Sequence, residues 1–203
     1  MPTLYDNPRS RNGYKVRLLA SHLGLPLNVV TKDLKAGASR QPDFLAKNAA
    51  GKVPVLELED GTCLPESNAI VLYMAEGSPL LPTAPLDRTQ VLRWMFFEQS
   101  QILPNIGLAR MLKITGSDAQ RPDVYAQRIE AAQDALAALE RHFGIHAWAA
   151  LDRFTVADIV VYAYASVAEE AGIDTAAYPS VVAWRKRVEA LPAHVTPDWG
   201  FDA

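Results

Sequence analysis

The chain has 203 residues, 49% hydrophobic and 21% charged, a length that exceeds the common single-domain size of roughly 100–150 residues and a composition that excludes a disordered segment. Twenty Lys+Arg against 23 Asp+Glu give a formal charge of -3 with no long basic run, which argues against a nucleic-acid partner. No stretch of about 18 apolar residues could span a bilayer, and the start, Met1-Pro2-Thr3-Leu4-Tyr5-Asp6, lacks the features of a secretory signal, so a cytoplasmic protein is expected.

Over the first 78 residues, short β-branched runs alternate with helical patterns, the signature of an α/β unit with some parallel pairing. Thr3-Leu4-Tyr5 reads as a strand, about Asn12 to Leu23 as a helix ended by Gly24 and Pro26, and Leu27 to Thr31 as a second strand. A polar loop from Lys35 to Gln41 precedes a short helix opened by Pro42. Val53 to Glu59 and Thr62-Cys63-Leu64 flank Asp60-Gly61, which predicts an antiparallel hairpin with a two-residue turn. A further helix begins near Ser67 and stops at Gly77.

Ser78 to Pro85 holds three prolines in eight residues, which neither a helix nor a central strand tolerates. The predicted organisation is therefore a domain over 1–78, a linker over 79–86 and an all-helical domain over 87–203. Helices are predicted from Thr89 to about Lys113 with a kink at Pro104, Pro122 to about Phe143, Val156 to about Gly172, and Tyr178 to about Ala190. Thr155-Val156-Ala157-Asp158 fits an N-capping box, making Asp158 structural.

Three segments can carry chemistry. In Gly51-Lys52-Val53-Pro54, a cis bond before Pro54 would turn the Val53 backbone outward to pair with an extended peptide ligand; an ordinary trans proline opening an edge strand is the other reading. In Pro65-Glu66-Ser67, a helix N-terminus beside a carboxylate suits the head of a zwitterionic amino acid, carboxylate on Ser67 and ammonium on Glu66, or is simply a helix start. In Asn7 to Gly13, donors from Ser10 or Asn12, the helix dipole and nearby Arg9 or Arg11 would stabilise a bound thiolate, unless Ser10 or Asn12 merely caps the helix. Cys63 is the only cysteine, so an intrachain disulfide, a CxxC redox pair and a multi-cysteine zinc site are excluded and any thiol chemistry must use an outside thiol. Cys63 itself is expected in the core. The pair His142 and His146 is interrupted by Gly144, and no metal site is expected.

The order and spacing of strand, Ser10-x-Asn12 turn, helix, strand, polar loop, Gly51-Lys52-Val53-Pro54, hairpin and Glu66-Ser67 helix resemble the glutathione transferase family over essentially the whole chain. Asn12-Gly13-Tyr14-Lys15 is most similar to its bacterial, theta/nu-like branch, and Trp94 to Gln99 and Phe154 to Asp158 look like its first C-terminal helix and capping box. The resemblance implies a thioredoxin-like N-terminal domain and a helical-bundle C-terminal domain. It also implies a cis bond before Pro54, Val53 paired with the cysteinyl unit of glutathione, and Glu66 and Ser67 on the γ-glutamyl head. Arg40 and Lys52, with Lys35 as a third, would meet the glycyl carboxylate. Ser10 and Asn12 are the implied catalytic thiolate stabilisers, Tyr5 matches the tyrosine classes only loosely, and Gly13 stands where many relatives carry cysteine. The implied function is conjugation of glutathione, as co-substrate with no further cofactor, to a small hydrophobic electrophile by a homodimer. An electrophile pocket between the domains has Phe96, Phe97, Gln101, Met111 and Tyr164 as candidates. Glutathione-dependent disulfide or peroxide reduction, and a non-catalytic glutathione-binding module, are the alternatives.

Overall fold

Four short strands, β1 (Thr3–Asp6), β2 (Asn28–Thr31), β3 (Val55–Glu57) and β4 (Cys63–Pro65), form one sheet in the order β2-β1-β3-β4. β1 and β2 run parallel, with Leu4 opposite Val29, while β1/β3 and β3/β4 are antiparallel, with Leu4 opposite Leu56 and Val55 opposite Pro65. The structure, a computed structural model, describes residues 1–201.

The sheet belongs to a unit formed by Met1–Ser78 and the residues from Pro192 onward. Helices α1 (Arg11–Leu23) and α3 (Ser67–Ala75) pack together, and the short α2 (Pro42–Leu45) carries Phe44. Leu4, Val16, Leu18, Leu19, Val55, Leu56, Ile70 and Val71 are fully or almost fully buried, each side chain worth roughly 1.5–3 kcal/mol of transfer free energy. Alternation along β1 puts Leu4 and Asp6 on the buried face and Tyr5 on the other. The hairpin differs from the expected two-residue turn. Leu58 N–H donates to the Thr62 carbonyl and Gly61 N–H to the Leu58 carbonyl, so the loop has three residues, with Gly61 at φ 84 in the left-handed position that such loops reserve for glycine.

The expected helical domain over 87–203 needs correction at its C-terminal end. Pro192 and Pro197 end helical winding, and the chain from Pro192 lies along α1. Ser21 Oγ donates to Ala193 O (2.8 Å), Tyr14 Oη to Val195 O (2.7 Å), and Arg17 to Pro197 O and Trp199 O (2.6 and 2.8 Å).

The second unit spans Pro79–Leu191. Its first helix, α4 (Pro85–Phe97), starts four residues before the expected Thr89 because Pro85 occupies the first helical position, where a missing N–H costs nothing. Residues Glu98–Gly107 wind as a π-helix that leads into α5 (Leu108–Ile114). An α-helix would push the Pro104 ring against the carbonyl four residues earlier, and the wider winding relieves that clash where a kink was expected. α6 (Pro122–Phe143), α7 (Val156–Ala165) and α8 (Pro179–Glu189) complete the unit; α7 stops before the expected Gly172, and a separate turn follows it. No helix among the described residues is long and apolar enough to cross a membrane.

Every residue of α7 is buried, as befits a helix apolar on all sides. Its N-terminus is fixed by Asp158, which accepts from Thr155 N (3.0 Å), Ala149 N (2.8 Å) and Trp184 Nε1 (3.0 Å), while Thr155 Oγ1 accepts from Ala157 N. Burial pushes the Asp158 carboxyl up to about 6 against the pull of these donors. Asp158→Ala orphans three buried donors, and a loss of about 3–5 kcal/mol is expected, measured as the shift of the urea midpoint; a loss below about 1 kcal/mol would contradict this role.

Candidate functional site

The turn between β1 and α1 is shaped by a carboxylate beneath it. Asp6, at the end of β1, is fully buried, and its carboxylate lies so close to Gly13 that a Cβ there would fall 1.8 Å from Oδ1. Glycine at position 13 is thus required by close approach, and a cysteine would find no room. Ser10 caps α1, its Oγ accepting from Gly13 N at 3.1 Å. Arg17, also fully buried, donates from Nε to Asp6 Oδ2 at 3.0 Å. Burial pushes the Asp6 carboxyl up to about 6; Arg17 opposes this, and the Ser10 hydroxyl adds a smaller pull in the same direction.

Opposite this turn stands the N-terminus of α3. No side chain caps it, and Glu66 at the capping position is exposed with φ 71, strained backbone of the kind that the surrounding structure must hold in place. The Ser67 N–H that opens α3 is therefore available to an anion, with Glu66 beside it. Ser67, buried, is joined to the β1–α1 turn: its Oγ lies 3.3 Å from Asn12 Oδ1 and 3.4 Å from Nζ of Lys15, which also reaches Asn68 Oδ1 at 3.2 Å.

The third element is the segment before β3. The Val53-Pro54 peptide bond is cis, and Val53 lies outside the ladder, whose pairs begin at Val55. Since Val55 pairs with Pro65, this segment runs beside Glu66. Ser10, Asn12, Val53, Pro54, Glu66 and Ser67 are thereby gathered where α1, β3 and α3 begin. Arg40 sits over Gly51 and donates to Ala50 O at 3.1 Å; it, Lys52 and Lys35 are exposed.

Several expected residues fall elsewhere. Tyr5, on the other sheet face, donates to Glu57 Oε2 (2.7 Å), a bond that pushes its phenol pKa up; it is no candidate for the turn. Cys63 is not in the core: it is partly exposed on β4, its thiol 3.6 Å from Gly61 O, because β4 covers only one side of the sheet edge. In the second unit, Tyr164 is buried against Gly107 and Phe97 meets Trp94 edge-on, whereas Phe96, Gln101 and Met111 are exposed. A cavity of about 750 Å³ bounded by Leu25, Leu27, Leu56, Leu58, Tyr73 and Met74 meets the C-terminal half of α3 and includes none of the site residues. Among the described residues, no group of three or more His, Cys, Asp or Glu could hold a metal ion.

Asp6, Lys15 and Arg17 were not singled out from the sequence as supports of this turn. The available signal was Lys15 three residues after Asn12, hence on the same helix face, amid residues as apolar as Val16, Leu18 and Leu19. Arg17→Met leaves the buried Asp6 charge unpaired, at an expected cost of about 3–5 kcal/mol near neutral pH. The folded-state pKa of Asp6 already lies above its ordinary value, so its contribution is fully present below about pH 4 and lost as pH rises through 6. Without Arg17 the loss continues to higher pH, and melting curves from pH 4 to 8 should show the variant converging on the wild type at the acid end; a gap independent of pH would disprove the pairing.

Family models match the chain as the glutathione S-transferase N-terminal domain over residues 2–76 and C-terminal domain over 101–192. A maleylacetoacetate isomerase of Rhizobium meliloti (strain 1021) is 35% identical over 199 residues, 94% of this chain and 92% of the relative. The crystal structure of a glutathione S-transferase from Pseudomonas fluorescens [Pf-5] is 42% identical with a TM-score of 0.94, covering 97% of this chain and 98% of its own. A structure of Ure2p in complex with glutathione is 25% identical with a TM-score of 0.87, covering 95% and 96%. With its thioredoxin-like sheet unit and its all-helical unit, this chain belongs to the glutathione S-transferase family.

Proposed function

We propose that the first unit binds glutathione, keeps its sulfur as a thiolate at the β1–α1 turn and delivers it to an electrophilic carbon of a small apolar co-substrate. The observation that carries this reading is the Ser67 to Asn12 contact of 3.3 Å, which joins an open helix N-terminus fit for a carboxylate to an amide fit for a thiolate. Glutathione in the solved Ure2p complex supports the choice of ligand.

In this reading the γ-glutamyl carboxylate takes the backbone N–H of Ser67 at the start of α3 and the ammonium takes Glu66. The Val53 backbone beside Pro54 pairs with the cysteinyl unit, and Arg40 and Lys52 face the glycyl carboxylate. Of the two catalytic candidates, Ser10 already caps α1 and stands against the Asp6 carboxylate, so we assign the main stabilising bond to Asn12 and a supporting role to Ser10. A thiol of pKa about 8.5 is only a few per cent ionised at neutral pH, so lowering it by about two units gains at most tens-fold in thiolate. The sulfur then forms a C–S bond as the leaving group departs with the electron pair. Positioning of the electrophile supplies the remainder of the rate.

The similarity to an isomerase favours a second reading with the same machinery. A thiolate that adds reversibly to an activated cis double bond and is expelled after rotation returns glutathione unchanged. Measuring product against glutathione consumed, with an aryl halide and with a maleyl acid, separates conjugation from isomerisation. We further read the protein as a cytoplasmic homodimer; Leu86 and Phe96, 70% and 71% exposed on α4, are apolar surface that a second copy would cover.

Calorimetric titration of the wild type should show glutathione binding, weakened at least about tenfold by Glu66→Ala through loss of a charge-assisted bond. Asn12→Ala should lower turnover about tenfold or more with little change in affinity, whereas Ser10→Ala should cost about 1 kcal/mol of stability as a lost helix cap. A folded wild type that binds no glutathione refutes the proposal.

A further inference from the structure

An ammonium group only donates hydrogen bonds, a hydroxyl has one proton to donate, and a primary amide presents an acceptor on one side and donors on the other. These inventories fix the network around Ser67. Lys15, fully buried, donates from Nζ to Ser67 Oγ at 3.4 Å and to Asn68 Oδ1 at 3.2 Å. Since Oγ is the acceptor in that bond, its own proton is left for Asn12, 3.3 Å away. The atom of Asn12 that meets a hydroxyl proton is Oδ1, which turns Nδ2 away from Ser67, without a protein partner among the described residues.

Without Lys15, the Ser67 hydroxyl could accept from Nδ2 as readily as it donates to Oδ1. The two amide orientations, related by a half-turn, would then compete, and only one offers N–H to a ligand in the turn. The buried cation removes the ambiguity.

We propose that Lys15 is a positioning residue that acts through Ser67 to hold the Asn12 amide with Nδ2 presented to the sulfur of a bound thiol. The proposal rests on the assignment of Asn12 as thiolate stabiliser. Because the Ser67 proton stays on Asn12, the ligand's carboxylate is met by the backbone N–H of Ser67 at the start of α3.

The test is a double-mutant cycle read on the thiol itself. The ionisation of bound glutathione is followed by thiolate absorbance near ~240 nm against pH in the wild type, Lys15→Met, Asn12→Ala and the double variant, with Lys15→Arg as the donor-only replacement. Lys15→Met should raise the thiol pKa by about one unit, the scale of one hydrogen bond to a charged group. It should add nothing in the Asn12→Ala background, and Lys15→Arg should restore part of the shift. If Lys15 acted simply as a nearby charge, its removal would raise the pKa equally in both backgrounds, and that result overturns the proposal, as does an unchanged pKa in Lys15→Met. Should Lys15→Met fail to fold, Lys15→Gln, which restores the two-way hydrogen bonding, carries the same expectations. A wild type that binds no glutathione defeats the functional reading itself, and Asn12→Ala with a wild-type thiol pKa defeats the assignment of Asn12; the proposal falls with either, for a different and visible reason.

Discussion

A buried carboxylate sets the geometry of the β1–α1 turn in this member of the glutathione S-transferase family. Asp6 ends β1 with no exposure to water, and taking such a charge out of solvent costs several kcal/mol unless a partner answers it. Arg17 answers it from two turns along α1, so the strand end and the helix are locked together by one ion pair. The side chain at position 13 must then vanish, because the carboxylate occupies the space of its Cβ. Arg17 has further donors, which the Pro197 and Trp199 carbonyls accept, and this is why the C-terminal segment lies on α1 and not with the helices that precede it in sequence. A single desolvated charge accounts for a glycine, a buried arginine and the path of the tail.

The local elements were legible because they follow local rules. Strand and helix periodicities, the break after Ser78 and the Thr155 to Asp158 box each depend on residues a few positions apart. The candidate segments could be picked out for the same reason, since Ser10, Asn12, Val53, Glu66 and Ser67 all lie at element boundaries marked by capping or turn residues. What sequence reading missed depends on long-range pairing. Arg17 and Lys15 look like solvated helix charges until Asp6 and Ser67, 11 and 52 positions away, are placed beside them. The placement of Cys63 failed for a related reason: alternation in a strand tells which residues share a face, and not whether an edge strand's face is covered.

The π-helical stretch around Pro104 was half legible. Proline predicts that an α-helix cannot continue unchanged, but whether the chain kinks or widens is decided by neighbours. Here the Asn105 side chain, oriented by a bond from Arg128, donates to the Gln101 carbonyl and so takes up the acceptor that the Asn105 N–H would use in an α-helical ladder. Winding and sequence are reconciled by a residue adjacent to the proline, not by the proline alone.

The two buried aspartates show how the same desolvation can be met in two ways, and why the difference matters for chemistry. Asp158 is held by neutral donors from the backbone and Trp184, which leaves its negative charge uncancelled inside the helical unit. Asp6 lies under the turn where we propose that a thiolate sits, and an uncancelled charge there would oppose the sulfur's ionisation. A cation, not neutral donors, is therefore its main partner: Arg17 brings the pair to zero. Asp6 and Arg17 can thus fix the turn's shape without charging it against a ligand, leaving the favourable field to the N-terminus of α1.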